Sequence, residues 1–264
     1  MEVPASVSTK KDVNAMKKFL SVLLAGTILS AALALPAAAA DQISTGERVD
    51  TWALEPVNRA VQNKLMPQQL VGQNLTEDIT RAQFAALAVK LYEAMSGQKT
   101  AVPSKNPFKD TSDPEVLKAY DLGIIAGISE DTFGPAQLIT REEAAVMLTN
   151  TYKACTLINK KAYLLWIISQ RWENSLNNDT DLTQQQMSNI LSGVYYTING
   201  SLDTSGAVPF ADDGSISDWA SESVYFMSKN KIINGVGNNC FDPQATTQCQ
   251  AALTMAVQML EKLG

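Results

Sequence analysis

Apolar residues along this chain return every three or four positions, the period of a helix with one buried face. After Trp52 the pattern is Val57, Val61 and Leu65; after Thr80 it is Phe84, Leu87, Ala88 and Leu91. Parallel stretches follow Trp219 and Thr140. Thr80 with Gln83, and Thr140 with Glu143, have the spacing of a capping box: the Thr oxygen accepts an N–H of the first turn, and the Gln or Glu oxygen accepts the cap residue's own N–H. The predicted unit is therefore two helices joined by a loop. In the loops "AGISEDTFGP" and "NGVGNNCFDP", Phe133 or Phe241 supplies one apolar anchor, and Gly127 or Gly235 is expected to let the backbone take φ > 0. The predicted fold is all-α.

These units repeat. "LGIIAGISEDTFGPAQLITREEAA" (122–145) lies over "NKIINGVGNNCFDPQATTQCQAAL" (230–253) without a gap, aligning Ile124 with Ile232, Gly127 with Gly235, Phe133 with Phe241 and Pro135 with Pro243. "DTWALEPVNRAVQNKLMP" (50–67) resembles "SDWASESVYFMSKNKIIN" (217–234), with Trp52 over Trp219 and Val57 over Val224, and "DITRAQFAALAVKLYEA" (78–94) resembles "LITREEAAVMLTNTYKA" (138–154). Three units follow, at 41–97, 98–155 and 205–264. The first has "PQQLVGQNLTED" where the others have the glycine loop. Small helical units cannot bury their apolar faces alone and are expected to pack on one another.

The spacing exposes an insert. Arg141 lies 60 positions after Arg81, but Cys249 lies 108 after Arg141, so about 48 extra residues fall within 156–204. Their pattern predicts a helical hairpin. Leu164 to Ile168 run consecutively in its first helix, and Met187, Ile190, Leu191, Val194 and Ile198 form a stripe behind a Thr183/Gln186 capping box in its second. The apolar first helix either packs on the repeats or offers a partner surface, with Trp166 and Trp172 as the residues to probe.

The N-terminus predicts export. Lys17 and Lys18 precede an apolar run from Phe19 to Leu35, a break at Pro36, and Ala38 and Ala40 at the −3 and −1 positions before Asp41. The expected leader is 1–40, cleaved after Ala40, with Met16 as a natural start; an uncleaved anchor is the rival reading. The whole chain carries −6, and beyond residue 40 there remain 17 basic and 25 acidic residues. Such a surface repels nucleic acid and anionic membrane, so a bound anion must meet a local cationic site. Histidine is absent, which removes the commonest general base and the usual zinc ligand. Cys155, Cys240 and Cys249 lack CxxC spacing, so no metal or cofactor is expected.

The Trp-Ala or Phe-x-Asp opening, "GIIAG", Phe-x-Pro and "ITRxE" together resemble the S-layer homology (SLH) module, across about 50–154 and 208–264. The resemblance implies a pseudo-threefold prism of three units. It also implies a non-catalytic role on the cell surface, holding the protein to an anionic, often pyruvylated, secondary cell-wall polysaccharide through grooves between units. The alternative is a surface adaptor that uses the same fold for protein contacts through the insert.

Arg81 and Arg141 occupy the arginine position of the family's TRAE motif. An arginine there sets a bidentate donor fork beside free backbone N–H groups, a carboxylate site; the other reading is that each pairs with a carboxylate of the next unit and stitches the units together. Thr80 and Thr140 precede them. Trp52 and Trp219 either stack on a sugar or anchor the packing, and Gly127 and Gly235 line the implied grooves. In the third unit, counting from Phe-x-Pro puts Cys249 at the arginine position, and counting from a shifted Thr247/Gln250 capping box puts Gln248 there. Either way the site is degenerate. Cys240 and Cys249 form a disulfide staple or remain free thiols.

Overall fold

A computed structural model describes residues 48–156 and 202–264 of the chain. The export segment, Trp166, Trp172 and the Thr183/Gln186 cap lie outside the described residues. Those described are helical, with isolated β-bridges and no strand. Three helix pairs follow in order: α1 (Leu54–Gln62) with α2 (Arg81–Ser96), α3 (Pro114–Asp121) with α4 (141–156), and α5 (Asp218–Lys229) with α6 (Cys249–Leu263).

Local chemistry sets the helix starts. The Thr80 capping box is complete, and Thr140 repeats it: its N–H reaches Glu143 Oε2 at 2.9 Å, and its Oγ1 accepts the Glu143 N–H at 3.3 Å. α3 opens with Pro114 behind an Asp113 cap, a position where the missing N–H costs nothing. Each first helix ends on a left-handed residue, Lys64, Gly123 or Lys231, which turns Leu65, Ile124 or Ile232 into the core. Leu65 thus continues the buried stripe from a turn rather than from the helix, which stops at Gln62.

Before each second helix, an extended segment meets the other two. Ile79 N–H donates to Thr247 O (2.8 Å), Thr247 N–H to Ile139 O (3.1 Å), and Ile139 N–H to Ile79 O (3.2 Å), closing a ring of three backbone bonds. Two residues on, a second cycle runs the opposite way round: Arg81 N–H bonds to Gln137 O, Arg141 N–H to Ala245 O, and Cys249 N–H to Glu77 O. One step further, Ala82 bonds to Pro135, Glu142 to Pro243, and Gln250 to Leu75. Amides of the first helical turn, which have no partner inside their own helix, are thus satisfied by the neighbouring segment.

The ring sits on the core. Ile79 and Ile139 are fully buried, as are Phe84, Phe133, Phe241 and Leu87. Ala85, Ala88, Ala144, Ala145, Ala252 and Ala256 are also fully buried, small side chains that let the second helices approach closely. The third ring position, Thr247, is 2% exposed, and its Oγ1 has no hydrogen-bond partner. A buried hydroxyl without a partner costs about 1–3 kcal/mol. Thr247→Val, of nearly equal shape, is therefore expected to raise stability by about 1 kcal/mol, or roughly 2–4 °C in melting temperature. A fall in a thermal melt would mean that the hydroxyl contributes to the ring.

Candidate functional site: arginine clefts between helix pairs

Each arginine leaves the first turn of a second helix and reaches the loop of the next pair. Arg81 Nε donates to Phe133 O (3.2 Å) and Nη2 to Ala126 O (3.2 Å), with its guanidinium carbon 5.0 Å from the Phe133 ring centroid. Arg141 repeats this one pair on: Nε to Phe241 O (2.8 Å), Nη2 to Asn234 O (2.8 Å), and 4.9 Å over the Phe241 ring. The cationic fork is held over an aromatic face while two of its nitrogens bind carbonyls, a combination a lysine could not reproduce.

The same loops are held from the other side by aspartates. Asp110 accepts from Phe133 N–H (2.9 Å) and Gly134 N–H (2.7 Å); Asp212 accepts from Phe241 N–H (2.8 Å) and Asp242 N–H (2.7 Å). The Phe133 N–H, foremost, with that of Gly134 holds the Asp110 carboxyl below its usual range. For Asp212, desolvation alone would raise it, but the loop N–H groups and Arg141 outweigh that and the carboxyl is lowered. Sequence reasoning passed over these two as ligands of the loop, although Pro-Phe-x-Asp recurs at 107–110 and 209–212.

The two clefts differ in charge. Arg81 is 8% exposed, and its Nη1 meets Glu143 Oε1 at 3.3 Å, the stitching arrangement. The residue equivalent to Glu143 in the next unit is Ala251, by the ring register that matches Arg141 to Cys249. Arg141 is half-buried, and its Nη1 carries no hydrogen bond among the described residues. Burial lowers its pKa, against the pull of Asp242 and Asp212, neither of which forms an ion pair with it.

At the third boundary the register resolves the choice between Gln248 and Cys249. α6 starts at Cys249, with Gln248 at its cap position and no side-chain cap, so the Thr247/Gln250 box does not form. Gln250 instead binds Asp50, through Asp50 N–H to Oε1 (2.9 Å) and Nε2 to Asp50 Oδ2 (2.7 Å), ahead of α1. Glu142, one unit back, makes the equivalent link to Ser217 ahead of α5. The same register sets the exposed Gln73 where the other loops have Phe. Arginine and the ring it covers are thus both missing at this boundary. Cys240 and Cys249 are free thiols, Cys249 buried and raised by that burial to about 11.

Other expected site residues change role. Neither Gly127 nor Gly235 has positive φ; the left-handed position the two loops share is Gly134 and its counterpart Asp242, and the second loop adds Gly237, Asn238 and Asn239. The two glycines are needed for space: a Cβ on Gly127 would lie 2.4 Å from Ser129 O, and one on Gly235 2.6 Å from Cys240 O. Trp52 and Trp219 are 56% and 60% exposed, which overturns the packing-anchor reading. The adjacent Ala53 and Ala220 face the core, so a helical turn sends each indole outward. Neither indole makes a ring or cation contact with Arg81 or Arg141 among the described residues. Thr80 and Thr140 are engaged in their caps.

Both loops that receive an arginine, both Pro-Phe-x-Asp clamps and Arg141 fall inside two segments of known type. Residues 107–145 and 209–247 match the S-layer homology domain. Arg81 and the first helix pair lie outside the matched SLH segments. The chain is also 28% identical over 220 residues, 81% of its length, to an amylopullulanase from Thermoanaerobacterium thermosulfurigenes, and 26% identical over 197 residues, 64% of its length, to the exoglucanase XynX from Acetivibrio thermocellus. An endoglucanase from Bacillus sp. (strain KSM-635) is 34% identical over 82 residues, 30% of the chain. The chain spans 9%, 18% and 8% of these relatives. No group of metal-ligating side chains and no helix long and apolar enough to cross a membrane occur among the described residues.

Replacing each arginine with methionine separates the two clefts. Arg81→Met strands Glu143 and two carbonyls and is expected to cost about 2–3 kcal/mol, or roughly 5–10 °C in melting temperature. Arg141→Met, at a more exposed site with no carboxylate partner, is expected to cost about 1 kcal/mol. Equal losses in thermal melts would contradict the difference in pairing.

Proposed function

We propose that the protein is a non-catalytic attachment module of the cell surface. It holds a carboxylate-bearing secondary cell-wall polysaccharide, such as a pyruvylated one, in the clefts between its helix pairs. The first pair is then a third, divergent SLH unit, and residues 1–40 are an export signal. The observation that carries the reading is a guanidinium fixed at the start of a helix, facing a loop of the next unit, with Nη1 left without a hydrogen bond among the described residues. The net negative charge elsewhere fits recognition confined to such points rather than adhesion by bulk charge.

The relatives support the reading through their architecture. Each is named as a polysaccharide-degrading enzyme, and this chain corresponds to a small share of each, as expected of an attachment region joined to separate catalytic parts. Trp52 and Trp219, exposed at the starts of the first helices, are proposed as sugar-stacking positions.

Cosedimentation with purified cell walls tests this. The protein is expected to pellet with intact walls and to stay in solution once the secondary polymer has been chemically removed. Arg81→Ala/Arg141→Ala, assayed well below its melting temperature, is expected to bind about tenfold to a hundredfold more weakly. Equal retention on stripped peptidoglycan, or undiminished binding by the double variant, would refute the proposal.

A further inference from the structure

The two arginine clefts share a backbone but not a counter-charge. At Arg81 the anion position is already filled. Glu143 sets Oε1 3.3 Å from Arg81 Nη1, while its Oε2 accepts the Thr140 N–H at 2.9 Å. The carboxylate is pinned by its own helix cap, so an incoming one competes with a tethered group whose effective concentration is at least on the order of millimolar. Arg81 is also nearly buried, with all three of its nitrogens hydrogen-bonded.

At Arg141 the same two carbonyl bonds orient the fork, but Ala251 stands where the carboxylate would be. Two acidic residues are near. Both oxygens of Asp212 are committed to the Phe241 and Asp242 N–H groups, and Asp242, exposed on the loop, forms no ion pair with the guanidinium. They favour the cation without occupying Nη1. The loop also exposes Val236, two residues beyond the Asn234 carbonyl that Arg141 binds, an apolar neighbour for the carbon skeleton of an acidic sugar.

We propose that Glu143 is a built-in occupant of the Arg81 cleft, so that the Arg141 cleft alone of the two takes a carboxylate of the wall glycan. This rests on the wall-glycan reading and sharpens it: one chain then binds one acidic group, and the residue that decides occupancy is the one three positions after the cap, Glu143 or Ala251.

The test is the stoichiometry of binding, by titration calorimetry, of wall-polysaccharide oligosaccharides that carry a single carboxylate. The wild type is expected to bind one per chain. Glu143→Gln removes the charge but keeps the cap, as Gln83 does for Thr80, and is expected to bind two. Ala251→Glu is expected to bind none, and the double variant one, which also shows that Ala251→Glu leaves the fold intact. Two per chain in the wild type, one in Glu143→Gln, or one in Ala251→Glu would overturn the inference. No binding by the wild type and by Glu143→Gln together would refute the wall-glycan reading itself, and the inference with it.

Discussion

Three backbone amides, those of Ile79, Ile139 and Thr247, close a ring by donating to one another's carbonyls. Each bond contributes only about 1 kcal/mol net, but the ring fixes register, and register decides what every following residue can touch. Two steps on, the first helical residue of each second helix is delivered to a boundary with the next helix pair. Arg81, Arg141 and Cys249 occupy that position. The contacts at these boundaries follow from which side chain the ring places there.

The scaffold therefore makes one device in three versions. At the first, a buried arginine is neutralised by Glu143 and binds two units together. At the second, the same arginine geometry has no carboxylate, because Ala251 replaces the glutamate. At the third, neither the arginine nor its aromatic seat remains, and the join carries the Gln250–Asp50 pair, the Thr246–Asp78 bond and an Arg59–Glu261 ion pair. A stable join and an available anion site make opposite demands on a guanidinium, since full pairing stabilises and leaves nothing for a ligand. The proposed division of those demands between boundaries would let one chain meet both.

Much of this was legible in the sequence because it is local or repeated. Helical periodicity located Phe84, Leu87 and Leu91 on the buried face, and Thr-x-x-Gln/Glu located the helix starts. Self-alignment from Phe-x-Pro put Cys249 over Arg141, which the ring register reproduces. What escaped is contact over long chain separation. Glu143 reads as a cap residue, and nothing in its neighbourhood announces a partner 62 positions earlier. Gly127 and Gly235 look like residues chosen for φ; the crowding from Ser129 O and Cys240 O that actually requires them appears only once the loop is folded. For Trp52 and Trp219 the sequence leaves packing and sugar stacking both open, because a repeated tryptophan at a helix start suits either; only the folded chain shows that the adjacent alanine takes the core position.

In the proposed arrangement the Arg141 guanidinium receives a carboxylate of the wall polymer while Arg81 remains engaged with Glu143. Side-chain NMR of the arginine Nε and Nη groups, recorded while a carboxylate-bearing fragment of that polymer is added, observes this directly. The Arg141 resonances are expected to shift and saturate while those of Arg81 hold still. Movement of the Arg81 resonances instead, or stationary signals from both under conditions where the protein binds walls, would contradict it.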